Sequence, residues 1–100
     1  MLPVVQTQRA EQDMEEILSY LEEHSPPAAE RFAVAFNDRC RLLGQFPEMG
    51  RLRNELRPGV RSVVIEKYVA LYKVTESSVV ILRIVFGARD LDSLLSSDDE

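Results

Sequence analysis

ELRPGVRSVVIEKYVALYKVTESSVVILRIVFGARD, residues Glu55 to Asp90, reads as three consecutive strands. Val60–Ile65 is the first, Tyr68–Val74 the second and Val79–Phe86 the third. β-branched and aromatic residues dominate each run, as suits a pleated, buried surface. The separators, Glu66-Lys67 and Thr75-Glu76-Ser77-Ser78, are far shorter than the crossover that a parallel return requires, so the stretch predicts an antiparallel meander. The second and third strands are apolar on both faces. Val69 and Leu71 oppose Ala70, Tyr72 and Val74; Val80, Leu82, Ile84 and Phe86 oppose Val79, Ile81 and Val85. Strict alternation puts Arg83 on the face of Val79, Ile81 and Val85. Half-exposed antiparallel strands normally alternate apolar with polar residues. A single helical layer covers one face, so the other needs cover, from Leu91, Leu94 and Leu95 in the tail or from a partner.

The segment before the meander supplies that helical layer. Val4 and Val5 mark a short strand, with Pro3 placing it at a strand start or edge. Thr7 is positioned to cap a helix over Gln8–His24, whose apolar residues Ala10, Met14, Ile17, Leu18 and Leu21 recur at one-face spacing. Glu11, Asp13, Glu15, Glu16, Glu22 and Glu23 are read as a solvated acidic face, since acid–base chemistry by paired carboxylates needs a pocket. Ser25-Pro26-Pro27 ends this helix and opens a second over Pro26–Gln45, with Ser25 as cap and Pro26 in the first turn. Ala29, Phe32, Ala33, Phe36, Cys40 and Leu43 form its stripe. So short a connection makes an antiparallel helical hairpin. Arg51–Gly59 follows as a basic connecting loop. The predicted fold is α+β: a two-helix hairpin packed on a small twisted antiparallel sheet, in the order β-αα-βββ, with the first strand joining the meander.

The sequence has 100 residues and a net charge of -5, unevenly spread. Residues 1–50 carry four arginines and nine acids, residues 51–90 eight bases and four acids, and residues 91–100 four acids and no base. One domain over residues 1–95 and a disordered acidic tail over 96–100 are expected. An acidic total argues against stable nucleic-acid binding by the chain alone. Cys40, the single cysteine, excludes an internal disulfide and falls on an apolar stripe, so it is read as packing. His24, the single histidine, falls in the last turn of the first helix, where it suits the dipole. Neither points to a metal or cofactor. No run of about 18 apolar residues and no leader pattern is present, so a cytoplasmic location is expected.

Six strings, in order, resemble the RelE/ParE superfamily of small bacterial toxins. They are DMEEILSYL (Asp13–Leu21), SPPAAERF (Ser25–Phe32), LLGQFPEMGR (Leu42–Arg51), ELRPGVRS (Glu55–Ser62), YVALYKV (Tyr68–Val74) and ILRIVFGARD (Ile81–Asp90). The match is closest to the ParE branch. The resemblance implies a cognate antitoxin, ParD-like or other, and, for ParE-type members, DNA gyrase as target without an enzymatic activity. RelE-type members instead cut messenger RNA in the ribosome, and an inactive antitoxin-binding relic is a third reading. The RelE set of basic residues and tyrosine is incomplete: Val69 stands where those toxins carry a basic residue and a leucine near where they carry a tyrosine, although Arg89 is kept. Target-contact candidates are then Arg61, Lys73, Arg83 and Arg89. Antitoxin-binding candidates are Tyr72, Val79, Ile81, Val85, Leu91, Leu94 and Leu95.

Overall fold

The computed structural model describes residues 1–87. Arg89, Leu91, Leu94, Leu95 and the acidic end lie outside the described residues. The elements are β1 (Val4–Gln6), α1 (Gln8–His24), α2 (Pro26–Gln45), β2 (Arg51–Leu52), β3 (Arg61–Ile65), β4 (Tyr68–Val74) and β5 (Val79–Phe86). Both helices, β4 and β5 have the bounds that periodicity and turn chemistry predict. The caps act as expected. Thr7 Oγ1 accepts from the Ala10 N–H at 3.0 Å, and Ser25 Oγ accepts from the Ala28 N–H at 3.4 Å. Both satisfy donors that a helix start leaves without partners.

The sheet runs β1-β5-β4-β3-β2. It is mixed rather than wholly antiparallel, because β1 lies parallel to β5. Parallel neighbours need a long connection, and the hairpin and meander between them provide it. Part of the basic connecting loop is also a strand: Arg51 and Leu52 pair with Ser62 and Arg61 at the far edge. Two residues carry too little pattern to be read as a strand without their partner.

The helical hairpin covers one face of the sheet. Ala10, Phe32, Phe36 and Leu43 meet Val63, Ile65, Tyr68, Ala70, Tyr72, Val79, Ile81 and Ile84 in one core. Fully burying a large side chain of this kind contributes about 1.5–3 kcal/mol. On the opposite face Val60, Val69, Leu71 and Val85 form a second cluster, against which Leu56 and Leu82 pack. Within the described residues, the Arg53–Gly59 loop thus lends Leu56 as part of the cover that the two-sided apolar strands require.

A bulge sorts β5 between the two faces. Leu71 pairs with Arg83 and the next residue, Tyr72, with Ile81, so Leu82 is the extra residue. Side-chain parity reverses there. Val79 and Ile81 face the helices before the bulge and Ile84 does so after it, whereas Val85 lies on the far face. The strict alternation that grouped Arg83 with Val79, Ile81 and Val85 therefore fails at Leu82.

Tyr72 ties the connection after α2 to the core. Its hydroxyl donates to the Pro47 carbonyl at 2.8 Å and accepts the Gly50 N–H at 2.9 Å. Gly50 is required by space: a Cβ there would sit 2.5 Å from the Tyr72 oxygen and 2.8 Å from the Ser62 carbonyl oxygen. Tyr72→Phe removes both bonds and leaves a buried N–H without an acceptor. The expected loss is about 1–3 kcal/mol, read as a lower urea midpoint with an unchanged slope.

Candidate functional site

The sequence-derived candidates fall into three groups. Tyr72, Val79 and Ile81 are fully buried beneath the helices, and Tyr68 and Tyr72 hydroxyls are held protonated, above the usual tyrosine range, chiefly by burial. Val85, Lys73 and Arg61 occupy the sheet elsewhere. Lys73 is exposed on β4. Arg61 is half-buried at the start of β3 and donates to the carbonyls of Glu48 (3.2 Å) and Gly50 (2.9 Å), so it holds the α2–β2 connection. Arg83 is 5% exposed. Arg89 and the three leucines lie outside the described residues.

Arg83 is directed at Asp13 on α1. Its Nε donates to Asp13 Oδ2 at 2.9 Å and its NH2 nitrogen to Oδ1 at 3.3 Å. Asp13 Oδ2 also accepts the Ile84 backbone N–H at 2.9 Å. Asp13, at 6% exposure, is thus no part of a solvated acidic face. The reason is topological. β1 pairs with β5 only as far as Ile81, and Thr7 then donates its N–H to the Ile81 carbonyl and its hydroxyl to the Leu82 carbonyl. Beyond that point β5 has no strand on the β1 side, and Asp13 occupies that edge in its place. Helical spacing showed a polar residue here, but not that the edge it faces lacks a strand.

The sheet face away from the helices brings apolar and cationic residues together. Its centre is apolar: Val69 pairs with Val85 on one side and Val64 on the other, and Val64 is 61% exposed. Its margin is cationic. Arg51 is exposed opposite Ser62, and Arg53 reaches the Ser62 hydroxyl at 3.4 Å. Arg53 also pairs with Glu55 at 2.7 Å, and that hydrogen bond is the first cause holding the Glu55 carboxyl below its ordinary range. At the hairpin end of the sheet a second feature went unread in the sequence. Tyr20 and Phe86 stand exposed around a groove of about 250 Å³, floored by Phe32 and Tyr68 and rimmed by Arg31 and Lys67. Tyr20 lies off the apolar stripe of α1 and Phe86 at the end of β5, so neither position signals the other.

Reactive chemistry is sparse. Among the described residues no three His, Cys, Asp or Glu side chains gather as a metal would require. Burial pushes the Cys40 thiol up to about 11, which suppresses the thiolate. His24 stacks on Tyr20 with centroids 4.2 Å apart and places Nδ1 2.8 Å from the Tyr20 carbonyl oxygen, a surface arrangement at the helix end. No helix among the described residues is long and apolar enough to cross a membrane.

The helical hairpin thus covers one face of a small mixed sheet, whose other face is apolar at its centre and cationic at its margin. The chain belongs to a family of small toxins, described as "ParE toxin of type II toxin-antitoxin system, parDE", whose profile matches residues 4–91. It is similar to Toxin RelE2 of Caulobacter vibrioides, 37% identical over 89% of this chain and 99% of that protein. It is also similar to Toxin ParE3 of the same organism, 42% identical over 53 residues, about half of each chain (53% of both). A solved structure titled "Chromosomal ParDE TA system from P. aeruginosa" superposes with a TM-score of 0.73 at 24% identity, covering 88% of this chain and 98% of that one, and so shares the fold.

Two outcomes follow from this geometry. Asp13→Ala leaves Arg83 buried without its carboxylate and the Ile84 N–H without an acceptor, and should cost about 3–5 kcal/mol. An Asp13→Leu, Arg83→Met double variant should recover most of that loss in chemical denaturation, because an apolar replacement of both partners leaves no stranded charge. Cys40 should react with iodoacetamide at pH 8 roughly a hundredfold more slowly in the folded chain than in urea, in step with its suppressed thiolate.

Proposed function

We propose that this toxin acts as ParE-type toxins are described to act, by trapping DNA gyrase on broken DNA, and that a cognate antitoxin silences it by covering the sheet face away from the helices. Membership of a type II toxin family implies the antitoxin partner. The gyrase reading is supported above all by the composition of the sheet face away from the helices. Cleavage of RNA by its own 2′-hydroxyl requires a proton acceptor and cations converging on one phosphate. Here the middle of the face holds Val69, Leu71 and Val85, buried, with Val64 exposed beside them. Arg51, Arg53 and Lys73 stand at its margin, and the two sheet tyrosines are buried on the other side. Such a face suits capture of a protein surface better than bond cleavage.

Within this reading Lys73 and Arg61 are target contacts, with Arg89 beyond the last strand as a third. Arg83 serves the fold through Asp13. Val85 and the tail leucines Leu91, Leu94 and Leu95 belong to the antitoxin surface, and Tyr72, Val79 and Ile81 support it from beneath. Cytoplasmic action accords with a target that works on chromosomal DNA. A second reading, a ribosome-dependent endoribonuclease, is favoured by one observation: the relative aligned over nearly the whole chain is named Toxin RelE2.

Purified gyrase with relaxed plasmid, ATP and this protein should accumulate linear, protein-linked plasmid. Lys73→Glu should weaken that accumulation at least tenfold while leaving the thermal midpoint unchanged, since its side chain is exposed. Unaltered supercoiling together with cut messenger RNA in a translating extract would replace this reading with the endoribonuclease one.

A further inference from the structure

We propose that the groove between Tyr20 and Phe86, at the hairpin end of the sheet, is a docking site for a segment of a partner protein. That segment carries an apolar anchor, with a carboxylate on one side of it to meet Arg31 and Lys67 and a cation on the other to meet Glu16. Phe32 and Tyr68, which floor the groove, belong to the core beneath the helices. The site is therefore separate from the sheet face away from the helices, and it holds whichever target the toxin takes.

The topology leaves two aromatic rings in water there. β1 stops pairing opposite Ile81, so the end of β5 has β4 on one side and no strand on the other. Phe86, paired with Tyr68 across that end, is 61% exposed, and Tyr20 on α1 is 57% exposed. Both rings are nonetheless held. Phe86 meets Tyr68 edge-on with centroids 5.4 Å apart, and Tyr68 meets Phe32 in the same way at 4.9 Å. Tyr20 stacks on His24. Large rings left more than half exposed gain from being covered. Rings already fixed by their neighbours lose little freedom when that happens, which is the character of an interface anchor.

Shape and charge state what the occupant is. Two hollows share Tyr20, Tyr68 and Phe86 as a common wall: one of about 250 Å³ reaches Arg31 and Lys67, the other of about 290 Å³ runs along Glu16 and Ile17. Each is smaller than the roughly 300–1,000 Å³ of sites that enclose a whole small molecule, and suits side chains of a segment lying across both. Arg31 and Lys67 are exposed and form no ion pair among the described residues. Glu66 lines the same hollow, one acid against two cations, so that end stays net positive. Glu16 gives the other end the opposite sign. A segment with an acid and a base on either side of an apolar residue complements both ends at once, and such complementarity selects one partner over another.

The test titrates the full, isotope-labelled chain with the end-blocked peptide Glu-Glu-Leu-Phe-Lys-Lys and follows backbone amides by NMR. Shifts should concentrate at Tyr20, Lys67, Tyr68 and Phe86. Tyr20→Ser, a change at an exposed helix position, should weaken binding roughly tenfold while the thermal midpoint stays the same. The Arg31→Glu, Lys67→Glu double variant should lose this peptide and gain Lys-Lys-Leu-Phe-Lys-Lys, which the unaltered chain should not bind. A gain of that kind cannot come from damage to the fold. The proposal is overturned by an absence of shifts, by shifts confined to the sheet face around Val64, or by equal binding of Glu-Glu-Ala-Ala-Lys-Lys, which lacks the anchor. Unaltered affinity in Tyr20→Ser, or no exchange of peptide preference in the double variant, would overturn it as well.

Discussion

The carboxylate of Asp13 joins parts of the chain that are 70 residues apart, and the arrangement of the remaining elements depends on it. β1 is only three residues long and stops pairing with β5 at Ile81. From there β5 would present an unpaired edge to a helix that cannot donate a strand. Asp13 closes the gap by accepting the Ile84 N–H and both contacts from Arg83. The pair adds little net stability by itself, because desolvating both charges offsets their attraction. Its value lies in asymmetry. Any packing that separates α1 from the end of β5 parts the buried Asp13 carboxylate from Arg83 and from the Ile84 N–H, so competing registers of helix on sheet are disfavoured by several kcal/mol.

That constraint fixes which sheet face the helices cover. With α1 and α2 held over Tyr72, Val79, Ile81 and Ile84, the bulge at Leu82 turns Val85 to the other side, beside Val69 and Leu71. One bulge thus divides a largely apolar strand between the core beneath the helices and the cluster on the opposite face. The loop after β2 then supplies Leu56, and the same loop and the sheet edge supply the arginines. An apolar centre with a cationic margin is the arrangement expected of a protein-binding face, where apolar area provides affinity and charge selects the partner.

Much of this was legible before folding. Three runs of β-branched residues with two short separators define β3, β4 and β5, since hydrophobic content and turn length are local properties. Helical spacing together with Thr7 and Ser25 defines both helices for the same reason. The six strings shared with the toxin superfamily led to the family that the profile over residues 4–91 establishes. The candidate site was less legible. Tyr72, Val79 and Ile81 were read as surface for a partner and are core, because a strand apolar on both faces does not say which face the helices take. Arg83 was read on the face of Val79 and Ile81, because alternation fails at a bulge that leaves no mark in composition.

The sequence by itself determined both helices and four of the five strands, their order, the excess of apolar surface on two strands and the separation of charge between an acidic first helix and a basic sheet. Each follows from side chains within a few residues of one another. Tertiary structure alone decided that β1 runs parallel to β5, that Arg51 and Leu52 form an edge strand, that Leu82 is a bulge and that Asp13 is buried. The reason is common to all four. Each depends on a backbone donor or acceptor whose partner lies far away in the chain: Asp13 was one more acid on a polar face until the Ile84 N–H, 71 positions later, was placed beside it.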